Sequence, residues 1–176
     1  MNPVLDAIKM RRSIRNFTPD MPDREDLDQI IEAGLYAASG HNKQSSIIVA
    51  VTDKALRDRL SEMNCKIGGW EKGFDPFYGA PAVLIVLADK SSPNHIYDGA
   101  LSMGNMMLAA HALGLGSCWI NRAREEFESE EGKAILRNLG IEGDYEGIGH
   151  CIVGFIEGAE PEAKERNDRR VFYAEG

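Results

Sequence analysis

Residues Val83 to Ala88 form an unbroken apolar run, and Ile47 to Val51 form a second, rich in β-branched side chains. A strand with one face in water alternates apolar with polar residues; a continuous run implies cover on both faces. The chain must therefore bring helices to both sides of a sheet. Leu27, Ile30, Ile31, Gly34, Leu35 and Ala38 recur on one helical stripe, with an expected exit at Ser39-Gly40. Residues 96–113 leave little polar surface, which predicts a buried helix ended by Gly114-Leu115-Gly116. Asn2 and Pro3 suit the cap and first turn of a short helix whose apolar face is Val4, Leu5 and Ile8. Residues 53–66 read as a surface helix opened by Thr52 or Asp53, and 124–139 as a charged, exposed one. Ser117 to Ile120 and Gly149 to Ile156 read as strands. Residues 67–80 combine glycines and a proline with Trp70, Phe74, Phe77 and Tyr78, and read as a loop. Helices and strands interleave without a strict βαβ rhythm, so the expected class is α+β, a central sheet flanked by helices.

A chain of 176 residues is expected to form a single domain, 1–176. Its net charge of −8 argues against nucleic acid or an anionic membrane as partner, because phosphate neutralisation needs clustered Lys and Arg. Cys65, Cys118 and Cys151 are odd in number and widely spaced, which fits reduced thiols and a cytoplasmic location. No window approaches the roughly 18 apolar residues of a membrane span. His41, His95, His111 and His150 show no ligand spacing, so no metal is expected. Gly114-x-Gly116 lacks the third glycine of a dinucleotide fingerprint and precedes a strand, and no G-x-S-x-G occurs.

Charge is unevenly placed. Lys9, Arg11, Arg12 and Arg15 crowd together with no acid among them, and Lys164, Arg166, Arg169 and Arg170 form a second group interleaved with Glu165 and Asp168. Arginine forks suit a phosphate dianion; equally, the first group would complement the C-terminal dipole of the first helix, and the second would serve as a solvated tail. Between a helix and a strand, Ala37 to Gln44 offers small residues that let backbone approach a planar ligand, with Asn42 and Gln44 amides for its polar edge. An ordinary loop would have the same composition.

Taken in order, these segments resemble the nitroreductase family of flavin mononucleotide (FMN) proteins. The likeness is carried by Arg11-Arg12-Ser13-Ile14-Arg15-Asn16-Phe17, Ala38-Ser39-Gly40-His41-Asn42-Lys43-Gln44, Gly79-Ala80-Pro81, the run Leu108 to Ile120, and Val153-Gly154-Phe155 followed by Lys164-x-Arg166. It implies a three-layer α+β sandwich with a mixed, mainly antiparallel sheet, in an intertwined homodimer holding FMN at its interface. It implies Arg11 and Ser13 near the ribityl phosphate, and Arg12 and Arg15 around the phosphate or the flavin pyrimidine edge. Lys164 and Arg166 would close on the same phosphate. Ala38, Ser39, Gly40 and Asn42 would come from the partner chain, with Gln44 close by. Trp119, Ile120 and Asn121 would face the isoalloxazine. The tail, about 157–176, would pack on the partner through Val171, Phe172 and Tyr173. NADH or NADPH would be the transient electron donor and a nitroaromatic or quinone the acceptor, with no catalytic side chain required. Dehalogenation, dehydrogenation, flavin fragmentation or plain flavin binding are alternatives on the same fold. The sequence departs from the family where Ser45-Ser46 replaces the usual Pro-Trp, and where Asn121-Arg122 replaces Gly-rich or acidic versions.

Overall fold

The computed structural model describes residues 2–174. In chain order they form α1 (Pro3–Met10), α2 (Arg24–Leu35), β1 (Ser46–Val51), α3 (Lys54–Gly68), β2 (Ala82–Asp89), α4 (His95–Ala112), β3 (Gly116–Ile120), α5 (Ala123–Glu128), α6 (Glu130–Asn138) and β4 (Tyr145–Gly154). The sheet order is β1-β2-β4-β3, with every neighbouring pair antiparallel. Parallel character enters among the described residues as one isolated bridge, Ser13 to Ser117.

β2 explains the architecture. Ala82 to Ala88 are all buried, and successive side chains leave on opposite faces. Val83, Ile85 and Leu87 join Leu60 and Met63 of α3 and Phe127 of α5 in one core. Ala82, Leu84 and Val86 join Leu27 and Ile30 of α2 and Met103 and Met106 of α4 in the other. The result is a sheet between two helical layers, as the unbroken apolar run requires. Gly34 lets α2 close on α4: a Cβ there would lie 2.7 Å from Met106 Cγ and 2.9 Å from Ile48 Cδ1.

Several sequence expectations need correction. α2 ends at Leu35, short of Ser39-Gly40, so Ala38 belongs to the following loop. α3 is no mere surface helix: it buries Leu60 and Met63 against the sheet and Cys65 beneath the following loop, and runs on to Gly68, where Gly69 caps it in the left-handed region. The expected helix 124–139 is two helices. Ser129 takes extended backbone and its hydroxyl accepts from the Gly132 N–H, starting α6 afresh. α4 buries Met103, Met106 and Ala110 but leaves Tyr97 and Leu101 exposed.

The loop after α3 is tied down by Asp75. Its carboxylate accepts from Arg57 (2.7 Å), the Ser61 hydroxyl (2.6 Å) and the N–H groups of Phe77 (2.9 Å) and Gly79 (2.7 Å). Burial would raise this carboxyl, but the hydrogen bonds from Arg57, Ser61 and Gly79 outweigh it and hold the group below the usual carboxylate range. A depressed folded value stabilises the structure above the unfolded pKa and is lost as pH falls through the folded one. The loop should therefore loosen from α3 as pH falls below the ordinary carboxylate range, read as a shift in tryptophan emission, and Asp75→Asn should abolish that acid step.

Candidate functional site

The segment following α1 lies along β3. The Ile14 N–H donates to the Ser117 carbonyl (3.0 Å), while Asn16, Phe17 and Thr18 pair with Phe155 to Glu157. This places Arg11, Ser13 and Arg15 around Cys118. Burial pushes the Cys118 thiol up, against the pull of Arg15, the Ser13 hydroxyl and Arg11 nearby. Burial, and then neighbouring Cys118, pushes Cys151 up to about 12. Both thiols therefore stay protonated near neutral pH and are poor nucleophiles.

The arginines divide. Arg12 Nη1 donates to the carbonyls of Lys9 (2.7 Å) and Arg11 (2.8 Å), so it closes the end of α1, as the helix-dipole reading expects. Arg11 Nη1 is buried with no hydrogen-bond partner among the described residues, and so is Arg12 Nε. Arg15 stacks over Tyr78, its Cζ 5.9 Å from the ring centroid. Buried donors without acceptors are costly and rare in a finished structure.

At the other end of β3, Trp119 and Asn121 line a cleft of about 410 Å³ with Ile96, Ala100 and Ile148. A Cβ at Gly149 would stand 2.4 Å from Trp119 Nε1, so the glycine admits the indole against β4. That Nε1 is also buried and unpartnered among the described residues. Ile120 points the other way, into the core shared with Ile152 and Phe127. Strand alternation thus splits the expected Trp119-Ile120-Asn121 set. Asn64 was not anticipated from sequence: it is fully buried, its Nδ2 donates to the Asn121 carbonyl (2.8 Å), and its Oδ1 has no partner. An asparagine on a helix otherwise facing the core at Leu60 and Met63 was the available signal.

The loop carrying Ala38, Ser39, Gly40, Asn42 and Gln44 packs on the first turn of α4. Buried Asp98 accepts the Gly40 N–H (2.9 Å) on one oxygen and the Ser45 hydroxyl (3.0 Å) on the other. The Gln44 N–H donates to Ser39 Oγ (2.9 Å), and Gln44 Nε2 to Asn42 Oδ1 (3.2 Å). Between these ties His41, Asn42 and Gln44 all hold positive φ, of 52°, 53° and 50°. Such backbone persists only where its surroundings fix it, and Ser45 supplies part of the fixing where the family has proline. Asp98→Ala should cost about 1–3 kcal/mol in urea unfolding, because it strands the buried Ser45 hydroxyl and the part-buried Gly40 N–H; Ser45→Ala should cost less.

Lys164 and Arg166 are not brought to this site within the chain. Residues 157–174 carry no helix or strand, and Lys164 and Arg166 are exposed.

A sequence profile described as the nitroreductase family matches residues 8–67 and 69–155. The chain is 30% identical to an FMN reductase [NAD(P)H] of Bacillus subtilis, covering 70% of this chain and 56% of that one. It is also 30% identical to an iodotyrosine deiodinase of Thermotoga neapolitana, covering 66% and 73%. The chain thus spans about half to three quarters of the curated relatives it matches. Among solved structures, a nitroreductase with bound FMN from Bacteroides fragilis superposes with a TM-score of 0.91 at 29% identity, covering 99% of this chain and 100% of that one. With a sheet covered on both faces and unpartnered donors at both ends of β3, the chain belongs to the nitroreductase family.

Proposed function

We propose that this chain is an FMN-dependent oxidoreductase that passes two electrons from NADH or NADPH to a small acceptor, a nitroaromatic or quinone, in a ping-pong cycle. The observation that carries the reading is the set of buried, unpartnered polar atoms strung along β3: Arg11 Nη1 and Arg12 Nε near its start, Trp119 Nε1 and Asn64 Oδ1 near its end. Four residue steps lead from Ser117 to Asn121, about 13 Å at about 3.3 Å each. That span suits a phosphate at one end and a flavin ring at the other. Arg11 and Ser13 hold the phosphate, Arg15 meets the polar edge of the ring, Asn64 positions Asn121 through its carbonyl, and Trp119 and Asn121 border the face where substrate sits. Ile120 contributes backbone alone. Bound FMN supplies hydride acceptance and release; the chain supplies position and charge.

The working unit is a homodimer with FMN at its interface. α1 buries no residue within its own chain, and Val4, Leu5, Ile8 and Met10 are each more than half exposed. A lone helix of this length is unstable in water without a packing partner. Tyr97 and Leu101 of α4 and Phe172 and Tyr173 of the tail add exposed apolar area. The partner covers these faces, its tail bringing Lys164 and Arg166 to the phosphate and its loop bringing Ala38 to Asn42. Three buried free thiols support a reducing, cytoplasmic setting; among the described residues no helix is long and apolar enough to cross a membrane.

Stopped-flow mixing of the FMN-loaded protein with NADH and with NADPH tests the assignment. Bleaching of the flavin band by at least one nucleotide, and its return on adding a quinone, is the expected result. No bleaching by either removes the nicotinamide donor and favours the other flavin chemistries.

A further inference from the structure

Arg122 opens α5 with φ 80° and ψ 7°, a left-handed conformation. A side chain with a Cβ pays of order 1 kcal/mol there, which glycine would avoid. Strain of this kind persists where the surrounding structure fixes it. The Arg122 guanidinium carbon lies 5.2 Å from the Trp70 ring centroid, so the aromatic loop after α3 seats it as a cation on an indole face. Arg122 lines the cleft at the end of β3, and Trp70 supports it from behind, outside the cleft's own lining.

Charge in the cleft is unevenly committed. Arg124 meets Glu128 at 3.2 Å and Glu146 at 3.6 Å, and Glu146 also meets His95 at 3.2 Å. Arg122 meets Glu125 only at 4.0 Å, beyond hydrogen-bond range, and its side chain is 34% exposed. Among the described residues Arg122 therefore makes no side-chain hydrogen bond to a carboxylate, whereas Arg124 is held through its Nε by Glu128. An arginine stacked on an aromatic keeps its in-plane N–H fork open to a carboxylate or phosphate. Ile96, Ala100, Ile148 and Trp119 give the same cleft apolar walls. Its volume of about 410 Å³ suits one substituted ring.

We propose that this cleft is a substrate pocket selective for a planar ring bearing a carboxylate or phosphate, and that Arg122 is the residue that selects the anion. The proposal rests on the flavin reading for its role in turnover. The anion is carried either by the acceptor or by the nucleotide donor.

The test uses the full chain, wild type and as Arg122→Gly and Arg122→Lys; the glycine variant relieves the backbone strain, so folding should be preserved. Equilibrium binding of benzoate and benzamide is followed by the emission of the chain's two tryptophans, Trp70 and Trp119, with and without FMN. Turnover of 4-nitrobenzoate and 4-nitrobenzamide is then measured with NADH and with NADPH. Benzoate should bind the wild type more tightly than benzamide. Arg122→Gly should weaken benzoate binding and raise the KM for nitrobenzoate by about tenfold or more, with kcat and the amide little changed; Arg122→Lys should fall between. A loss that follows NADPH against NADH with both acceptors would assign the anion to the nucleotide phosphate and uphold the pocket. Equal behaviour of charged and neutral ligands in the wild type, for acceptor and nucleotide alike, or equal losses for all of them in Arg122→Gly, would overturn the proposal. Benzoate binding without turnover would keep the pocket and defeat the oxidoreductase reading; turnover without anion preference would do the reverse.

Discussion

Glu126→Ala should lower folding stability by about 3–5 kcal/mol, the largest effect expected of any single polar substitution in this chain. Glu126 and His150 are both fully buried, and Glu126 Oε2 lies 2.6 Å from His150 Nε2. The approach is not that of a linear hydrogen bond, since neither atom finds a hydrogen-bond partner of good geometry; among the described residues the Glu126 carboxylate nevertheless has only the imidazole beside it, and His150 Nε2 only that carboxylate. Phe77 and Phe127 flank the imidazole, at 5.1 Å and 6.4 Å between ring centroids. Removing either partner leaves a polar group stranded in an apolar shell. The pair fastens α5 to β4 directly behind the site, because His150 Nδ1 faces the Ile120 carbonyl at 3.4 Å, one residue before Asn121. Urea unfolding of Glu126→Ala, His150→Ala and a joint Glu126→Met, His150→Leu replacement checks this. The joint apolar replacement should recover much of the loss. Single variants within about 1 kcal/mol of wild type would show that the contact carries little.

Arg11→Ala should weaken FMN binding by about ten- to a hundredfold, the span that a hydrogen bond to a charged group represents. Arg11 Nη1 is buried and the side chain makes no hydrogen bond among the described residues, so folding should change little. Arg12→Ala should do the opposite. Its Nη1 closes the end of α1 through the carbonyls of Lys9 and Arg11, so its loss should fall more on helix stability, by about 0.3–1 kcal/mol. Fluorescence titration with FMN beside thermal unfolding separates the two. A larger binding loss in Arg12→Ala than in Arg11→Ala would reverse the assignment.

Legibility in the sequence followed the range of the interactions. β2 was readable because the six successive apolar residues Val83 to Ala88 allow one environment, and helices on both faces of the sheet follow from it. The Asn2 cap was readable because its side chain acts within one turn, on the N–H groups of Val4 and Leu5. The break at Ser129 was missed although Ser-Glu-Glu-Gly is a start signal, because the charge pattern runs on through it. Within α4, Asp98 was hidden in a helix read as leaving little polar surface. Its partners Gly40 and Ser45 lie far away in sequence, so only the folded chain shows that it fastens the 39–44 loop. The hydrogen bonding of Arg11 and Arg12, adjacent and chemically alike, separates only once the end of α1 is in place. Arg122 likewise gains meaning only when Trp70 arrives beneath it. Exposed Leu5, Ile8 and Leu101 look like core residues in the sequence and lack a core in the single chain; the proposed partner subunit resolves that conflict.

Titration of the flavin-free protein with FMN, followed by visible absorbance and flavin fluorescence, tests the central claim most directly. Saturable binding at one FMN per chain, with a perturbed flavin spectrum and loss of that stoichiometry in Arg11→Ala at low FMN, is the predicted result. A protein that stays colourless, leaves the flavin spectrum and emission unchanged, and binds no FMN at any ratio would contradict the account.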